Sequence, residues 1–181
     1  SPASLFVDTD GDLYVTDTGN NAILVFPSFA GVSNAGAVFG APMKLGVGLL
    51  APLAVTVDGP GNVYIADSGN NQIVEYPLGA GQQIVAANIL TPSALATDTS
   101  GSLFVVDQGN YRVLRIPSVN GTLSPNDAVE VGLGVANPYG VAIGASSDLY
   151  VTDKTNAAAY TVARSQIGLG FGALAIGTAS G

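Results

Sequence analysis

A segment of 21 residues recurs along this chain without gaps, and such a recurrence constrains the architecture before any single residue does. It reads VDTDGDLYVTDTGNNAILVFP (Val7–Pro27), VDGPGNVYIADSGNNQIVEYP (Val57–Pro77) and TDTSGSLFVVDQGNYRVLRIP (Thr97–Pro117). A weaker fourth copy is IGASSDLYVTDKTNAAAYTVA (Ile143–Ala163). Asp17, Asp67, Asp107 and Asp153 share one position, Asn20, Asn70, Asn110 and Asn156 another, at spacings of 50, 40 and 46 residues. The octets upstream also correspond: LGVGLLAP (Leu45–Pro52), VAANILTP (Val85–Pro92) and VGLGVANP (Val131–Pro138), with IGLGFGAL (Ile167–Leu174) as a fourth member.

Each unit parses into four short strands bounded by Gly, Asn, Asp and Pro, which is β-meander material. Strand A follows the proline (SLFV, LAVTV, ALAT, GVAI). Strand B is LYVT, VYIA, LFVV and LYVT, and strand C is AILVF, QIVEY, RVLRI and AAYTV. Strand D is expected in the glycine-bearing octets. With only 10% charged residues, the chain lacks the polar helix formers that would support an alternative. Four antiparallel strands per 40–50 residues is the period of a β-propeller blade. The reading is therefore all-β: four β-propeller blades in a single domain or fragment, with units at roughly 1–50, 51–90, 91–136 and 137–181.

The order of Pro, apolar strand, Asp, Gly-Asn, apolar-Tyr-apolar-Ala-Asp, Gly-Asn and Arg-Ile resembles the NHL repeat, here in the form of a bacterial NHL repeat-containing protein. The second unit (VDGPGNVYIADSGNNQIVEYP) and the third (DQGNYRVLRI) carry it best. The first unit has an extra residue between Pro2 and Asp8, and the fourth has Gly144 for the strand-ending acid and Thr155 for the turn glycine. The resemblance implies a propeller, most often six-bladed, so four units read as an arc of a larger ring that needs further blades to close.

The formal net charge is −8, from 13 acids and 5 bases. Five scattered cations cannot build the basic face that phosphate binding requires, so nucleic acid is excluded as a partner. No uninterrupted apolar run of membrane-spanning length occurs, and no membrane insertion is expected. There is no cysteine, hence no disulfide, thiolate metal site or Cys nucleophile. The acidic, Lys-poor, Asn/Thr/Gly-rich composition leans towards an extracellular, periplasmic or cell-surface location.

The polar residues fall in the turns. In the B–C turn, Asp-x-Gly-Asn-x, the glycine and asparagine suit positive φ and the aspartate can accept backbone hydrogen bonds two or three residues on. Recurrence in every unit makes Asp17, Asp67, Asp107, Asp153 and their asparagines structural staples of the hairpin. The residues that vary between copies on that face, Asn21, Asn71, Tyr111, Arg112 and Lys154, are the candidate interaction surface for a protein or glycan partner. In DTDGDLYVTDTG, Asp8, Asp10 and Asp12 have the spacing of the first calcium ligands of an EF-hand loop, but Leu13 and Gly19 stand where its glycine and bidentate glutamate belong. Calcium is a weak candidate there, and no other cofactor is indicated.

Propeller lactonases, lyases and amidating enzymes place metal-binding side chains around the central channel, which strand A would line. Here strand A has no acid, and the whole chain has no His, so neither a Ser-His-Asp triad nor a histidine base is possible. Glu75 and Glu130 are expected towards the outside, on strands C and D. GLGFG (Gly168–Gly172) is no dinucleotide fingerprint, because no helix follows it. These residues point to a non-catalytic binding or scaffold propeller, with a lactonase-like hydrolase or lyase whose catalytic groups lie outside this chain as the alternative.

Overall fold

A computed structural model describes residues 1–28, 39–131, 134–163 and 174–178. Each sequence unit forms one antiparallel sheet of four strands. The first contains β1 (Pro2–Val7), β2 (Leu13–Asp17), β3 (Ala22–Phe26) and β4 (Met43–Leu45). The second contains β5 (Ala54–Val57), β6 (Val63–Asp67), β7 (Gln72–Tyr76) and β8 (Gln83–Ala87). In the third, β9 (Pro92–Thr97), β10 (Leu103–Asp107) and β11 (Arg112–Ile116) are followed by a small hairpin of β12 (Ser118–Val119) and β13 (Thr122–Leu123), and then by the outer strand β14 (Val129–Glu130). The fourth contains β15 (Pro138–Ile143), β16 (Leu149–Asp153), β17 (Ala158–Val162) and β18 (Leu174–Thr178).

Strands A, B and C fall where the hydrophobic alternation places them; strand D does not. In the first three sheets it ends at Leu45, Ala87 and Glu130, so the glycine octets are mostly the connections that follow it. Positive φ at Gly46, Gly48 and Gly134 explains this, because such a backbone cannot continue a pleated strand. IGLGFGAL and GLGFG lie outside the described residues, apart from Leu174, where β18 starts.

The core lies between sheets. Tyr14, Ile23 and Val25 of the first pack on Val55, Val63 and Ile65 of the second. Tyr64, Ala66 and Ile73 of the second pack on Leu95, Leu103 and Ile116 of the third. Phe104, Val106 and Val113 of the third pack on Leu149, Val151 and Val162 of the fourth. The strand-B aromatics are thus blade-to-blade packing, as their alternation implies; Tyr150, whose face no further described sheet covers, is 40% exposed. The same rule explains why every residue of β6 and β10 is buried, whereas β2 and β16 alternate. Among the described residues no helix is long and apolar enough to cross a membrane.

Candidate interaction face and channel

On the B–C face the repeat aspartates do more than hold a hairpin. Asp67 Oδ1 accepts from the backbone N–H of Leu50 (2.7 Å), and Oδ2 accepts from Asn70 Nδ2 and Gln72 Nε2 (both 2.7 Å). Asp107 Oδ1 accepts from Leu90 N–H (2.7 Å), while Asn110 Nδ2 and Arg112 Nε (2.8 Å) donate to the carboxylate. Asp153 Oδ2 accepts from Ala136 N–H (2.9 Å), and its Oδ1 from Thr155 and Asn156 N–H. Leu50, Leu90 and Ala136 belong to the connections arriving from the preceding sheet. Asp67, Asp107 and Asp153 therefore each clasp one blade to the next, and of these three Asp153 also makes the expected backbone bonds to its own turn. Asp17 accepts from Asn20 Nδ2 (2.7 Å) and lies 3.6 Å from the Ser1 nitrogen. The Asn20 bond holds its carboxyl below the usual range. In Asp153, burial pushes the other way, and the donated bonds from Ala136, Asn156 and Thr155 prevail to lower it.

The turn glycines serve close approach, not positive φ. A Cβ on Gly69 would lie 2.7 Å from the Leu50 carbonyl oxygen, and one on Gly109 would lie 2.4 Å from Leu90 Cγ. The left-handed residue is the one after the asparagine: Asn21, Asn71, Tyr111 and Ala157, at φ of 52°, 54°, 55° and 48°. Asn21 Oδ1 accepts from Ala51 N–H (2.8 Å) and Asn71 Oδ1 from Thr91 N–H (2.9 Å). Ala51 and Thr91 are themselves left-handed at φ 45°, a strained conformation for a residue with a Cβ, and these bonds help hold it. Of the five residues read as an interaction surface, then, Asn21 and Asn71 grip connections and Arg112 pairs with Asp107. Lys154 Nζ sits 4.9 Å from the centre of the Tyr139 ring. Tyr111 is 63% exposed.

On the opposite face, Asp8 Oδ1 accepts from Asp10 and Asp12 N–H, and Asp12 Oδ1 from Ser28 N–H (2.7 Å). The equivalent second turn is similar, with Pro60 offering no N–H at the Asp10 position: Asp58 Oδ1 accepts from Gly61 and Asn62 N–H, and Asn62 Oδ1 from Leu78 N–H. Two of the three candidate calcium ligands thus act as turn acceptors, and among the described residues no three acidic or His/Cys side chains converge as a metal set. Burial, with the Asp8 carboxylate beside it, pushes the Tyr14 hydroxyl up to about 12.

Strands β1, β5, β9 and β15 line one side of a central channel, with an open volume of about 570 Å³. Its polar groups are those of Ser4, Thr56, Ser93, Thr97 and Tyr139; the rest of the lining is apolar or glycine, and no carboxylate is among it. Glu130 is exposed, as expected, but Glu75 is only 4% exposed. It pairs in register with Tyr64 and so lies on the face turned to the third sheet, and Gln83 Nε2 of the neighbouring strand β8 donates to it (2.8 Å). Tyr64 O–H donates to Asp58 Oδ2 (3.1 Å), and burial, with Asp58 and Glu75 close by, raises its hydroxyl well above the normal value.

The family described as the NHL repeat matches residues 1–26, which hold β1, β2, β3 and the first aspartate–asparagine turn. The first of the four sheets thus matches the NHL repeat. The fold of the chain is that of several solved structures. The nidogen/laminin complex matches at 22% identity and TM-score 0.74, over 98% of this chain and 62% of that one. A gluconolactonase from Xanthomonas campestris matches at 18% and 0.71, over 99% and 63%. A catalytically inactive virginiamycin B lyase from Staphylococcus aureus, solved with quinupristin, matches at 16% and 0.67, over 91% and 53%. The chain spans between about half and two-thirds of the length of these structures. No curated protein sequence matches it.

The acceptor half of each clasp was visible in the sequence and the donor half was not, because a backbone N–H leaves no side-chain signature. A positional signal did exist: Leu50, Leu90 and Ala136 all stand two residues before the repeating proline. The buried Asp58–Tyr64–Glu75 group had no such signal, since Glu75 is replaced by Val25, Arg115 and Thr161 in the other sheets.

Proposed function

We propose that this chain is part of a binding propeller that engages a protein or glycan through its loop faces, in an extracellular, periplasmic or cell-surface setting, and that it carries no catalysis of its own. The supporting observation is the channel. Four innermost strands contribute hydroxyls and apolar groups to it but no carboxylate, and the chain has no imidazole or thiol to serve as base or nucleophile. The fold itself is shared by a chain of the nidogen/laminin complex, by a gluconolactonase and by a lyase, so it does not choose among these functions.

The test is an assay of the purified chain for hydrolysis of sugar lactones and for lyase cleavage of a cyclic depsipeptide, alongside binding to arrayed glycans and extracellular-matrix proteins. Binding without turnover supports the reading. Turnover that persists in the chain alone and is lost on substituting Thr56 or Ser93 in the channel overturns it.

A further inference from the structure

We propose that the groove on the B–C face between the second and third sheets binds a neutral oligosaccharide, an inference that rests on the binding-propeller reading above. The groove has a volume of about 480 Å³ and is walled by Asn70, Asn71, Gln72, Asn88 and Asn110, with Leu90 at its side. Five side-chain amides in one groove give matched donors and acceptors without net charge.

Four of them are oriented by the clasp. Asn70 Nδ2 donates to Gly48 O and Asp67, Gln72 Nε2 to Asp67, and Asn110 Nδ2 to Asp107, while Asn71 Oδ1 accepts from Thr91. One end of each amide is thus fixed, leaving three carbonyl oxygens and the Asn71 Nδ2 group without a partner among the described residues. Such preset polar groups avoid much of the ordering cost of binding.

Asn88 carries the inference furthest. Two of the other connections place glycine at its position, Gly48 and Gly134, both with positive φ and with open space where a Cβ would point. Asn88 takes the same left-handed backbone at φ 63°, is exposed, and makes no side-chain hydrogen bond among the described residues. The backbone there accepts glycine or asparagine, and only this connection uses the one that adds an amide over the groove. Gln72 differs likewise: the first sheet has Ala22 in its place and the third has Arg112. The amide set is peculiar to this junction.

Hydroxyl-rich, uncharged ligands fit these groups, since each hydroxyl both donates and accepts. Leu90, 42% exposed, offers an apolar patch for the C–H face of a sugar ring. Anionic ligands are disfavoured by the Asp67 and Asp107 carboxylates directly behind and by the net charge of −8. An extended peptide would need a free strand edge or a side-chain pocket, and the groove is walled by turn and connection residues over the buried Ile89.

The experiment is an array of neutral oligosaccharides built from glucose, galactose, mannose and N-acetylglucosamine, with sulfated glycans and peptides on the same array. The tightest neutral ligand is then titrated against the side-chain amide resonances. The double variant Gln72→Ala, Asn88→Gly gives this groove the residues of the junction between the first and second sheets. The expected result is neutral-glycan binding that shifts the Asn71 and Asn88 amides and weakens about tenfold or more in the double variant. Asn88→Gly alone, which restores the residue the other connections use, keeps the fold and must by itself weaken binding. The proposal is overturned if nothing neutral on the array binds, if only sulfated glycans or peptides bind, or if neutral-glycan affinity is unchanged in both variants. In the last two cases the binding-propeller reading stands and only the groove falls; turnover in the channel would remove that reading independently.

Discussion

At the scale of the residue, the repeat aspartate of the second, third and fourth sheets is a buried carboxylate that accepts from a connection arriving from another sheet. Asp107 is fully buried and holds Leu90 N–H, Asn110 and Arg112 together. Asp107→Ala should cost about 2–3 kcal/mol of stability in urea unfolding, because charged-group hydrogen bonds are lost and their donors are left behind. Gly69→Ala should cost about 1–3 kcal/mol by overpacking against the Leu50 carbonyl, although its φ is permissive to alanine. Asp153 adds a pH dependence. Its folded pKa lies below the unfolded value, so its contribution is complete above about pH 4 and is lost as pH falls through the folded value. Asp153→Asn should thus be less stable than the parent at pH 6, and the gap in urea midpoint should narrow on descent to pH 3.

At the scale of the element, a strand's energetic weight depends on whether both faces of its sheet are covered. Leu103 of β10 is fully buried, whereas its repeat equivalent Leu13 of β2 is only partly so. Leu103→Ala should cost about 2–5 kcal/mol, and Leu13→Ala clearly less, by chemical denaturation. Strands A to C were legible because period-2 alternation and the Gly, Asn and Pro punctuation are local signals. Strand D was placed too late, because its glycine octet repeats faithfully for a different reason: it carries the left-handed corners of the connection. Glu75 lies on strand C and away from the channel, as read, but its burial was not legible, for a related reason. Register put it opposite Tyr64, under the next sheet, and register between strands is not written in one strand's composition.

At the scale of the molecule, four sheets stack through three apolar interfaces and leave their turns on two faces around a channel. That plan was legible in the repeat, since one unit read correctly gives all four. The site was legible only in part: the carboxylates announced themselves, but their work is to join blades, and Asn21, Asn71 and Arg112 share it. In the proposed reading, recognition falls to positions where one copy departs from the others, such as Asn88. The division between a repeated clasp and a variable surface is tested most directly by amide hydrogen exchange in Asp107→Ala. The predicted result is a selective loss of protection at the Leu90 N–H, with the Leu50 N–H, still held by Asp67 in the same molecule, retaining its protection relative to Leu90. Unchanged protection at Leu90 would contradict the account.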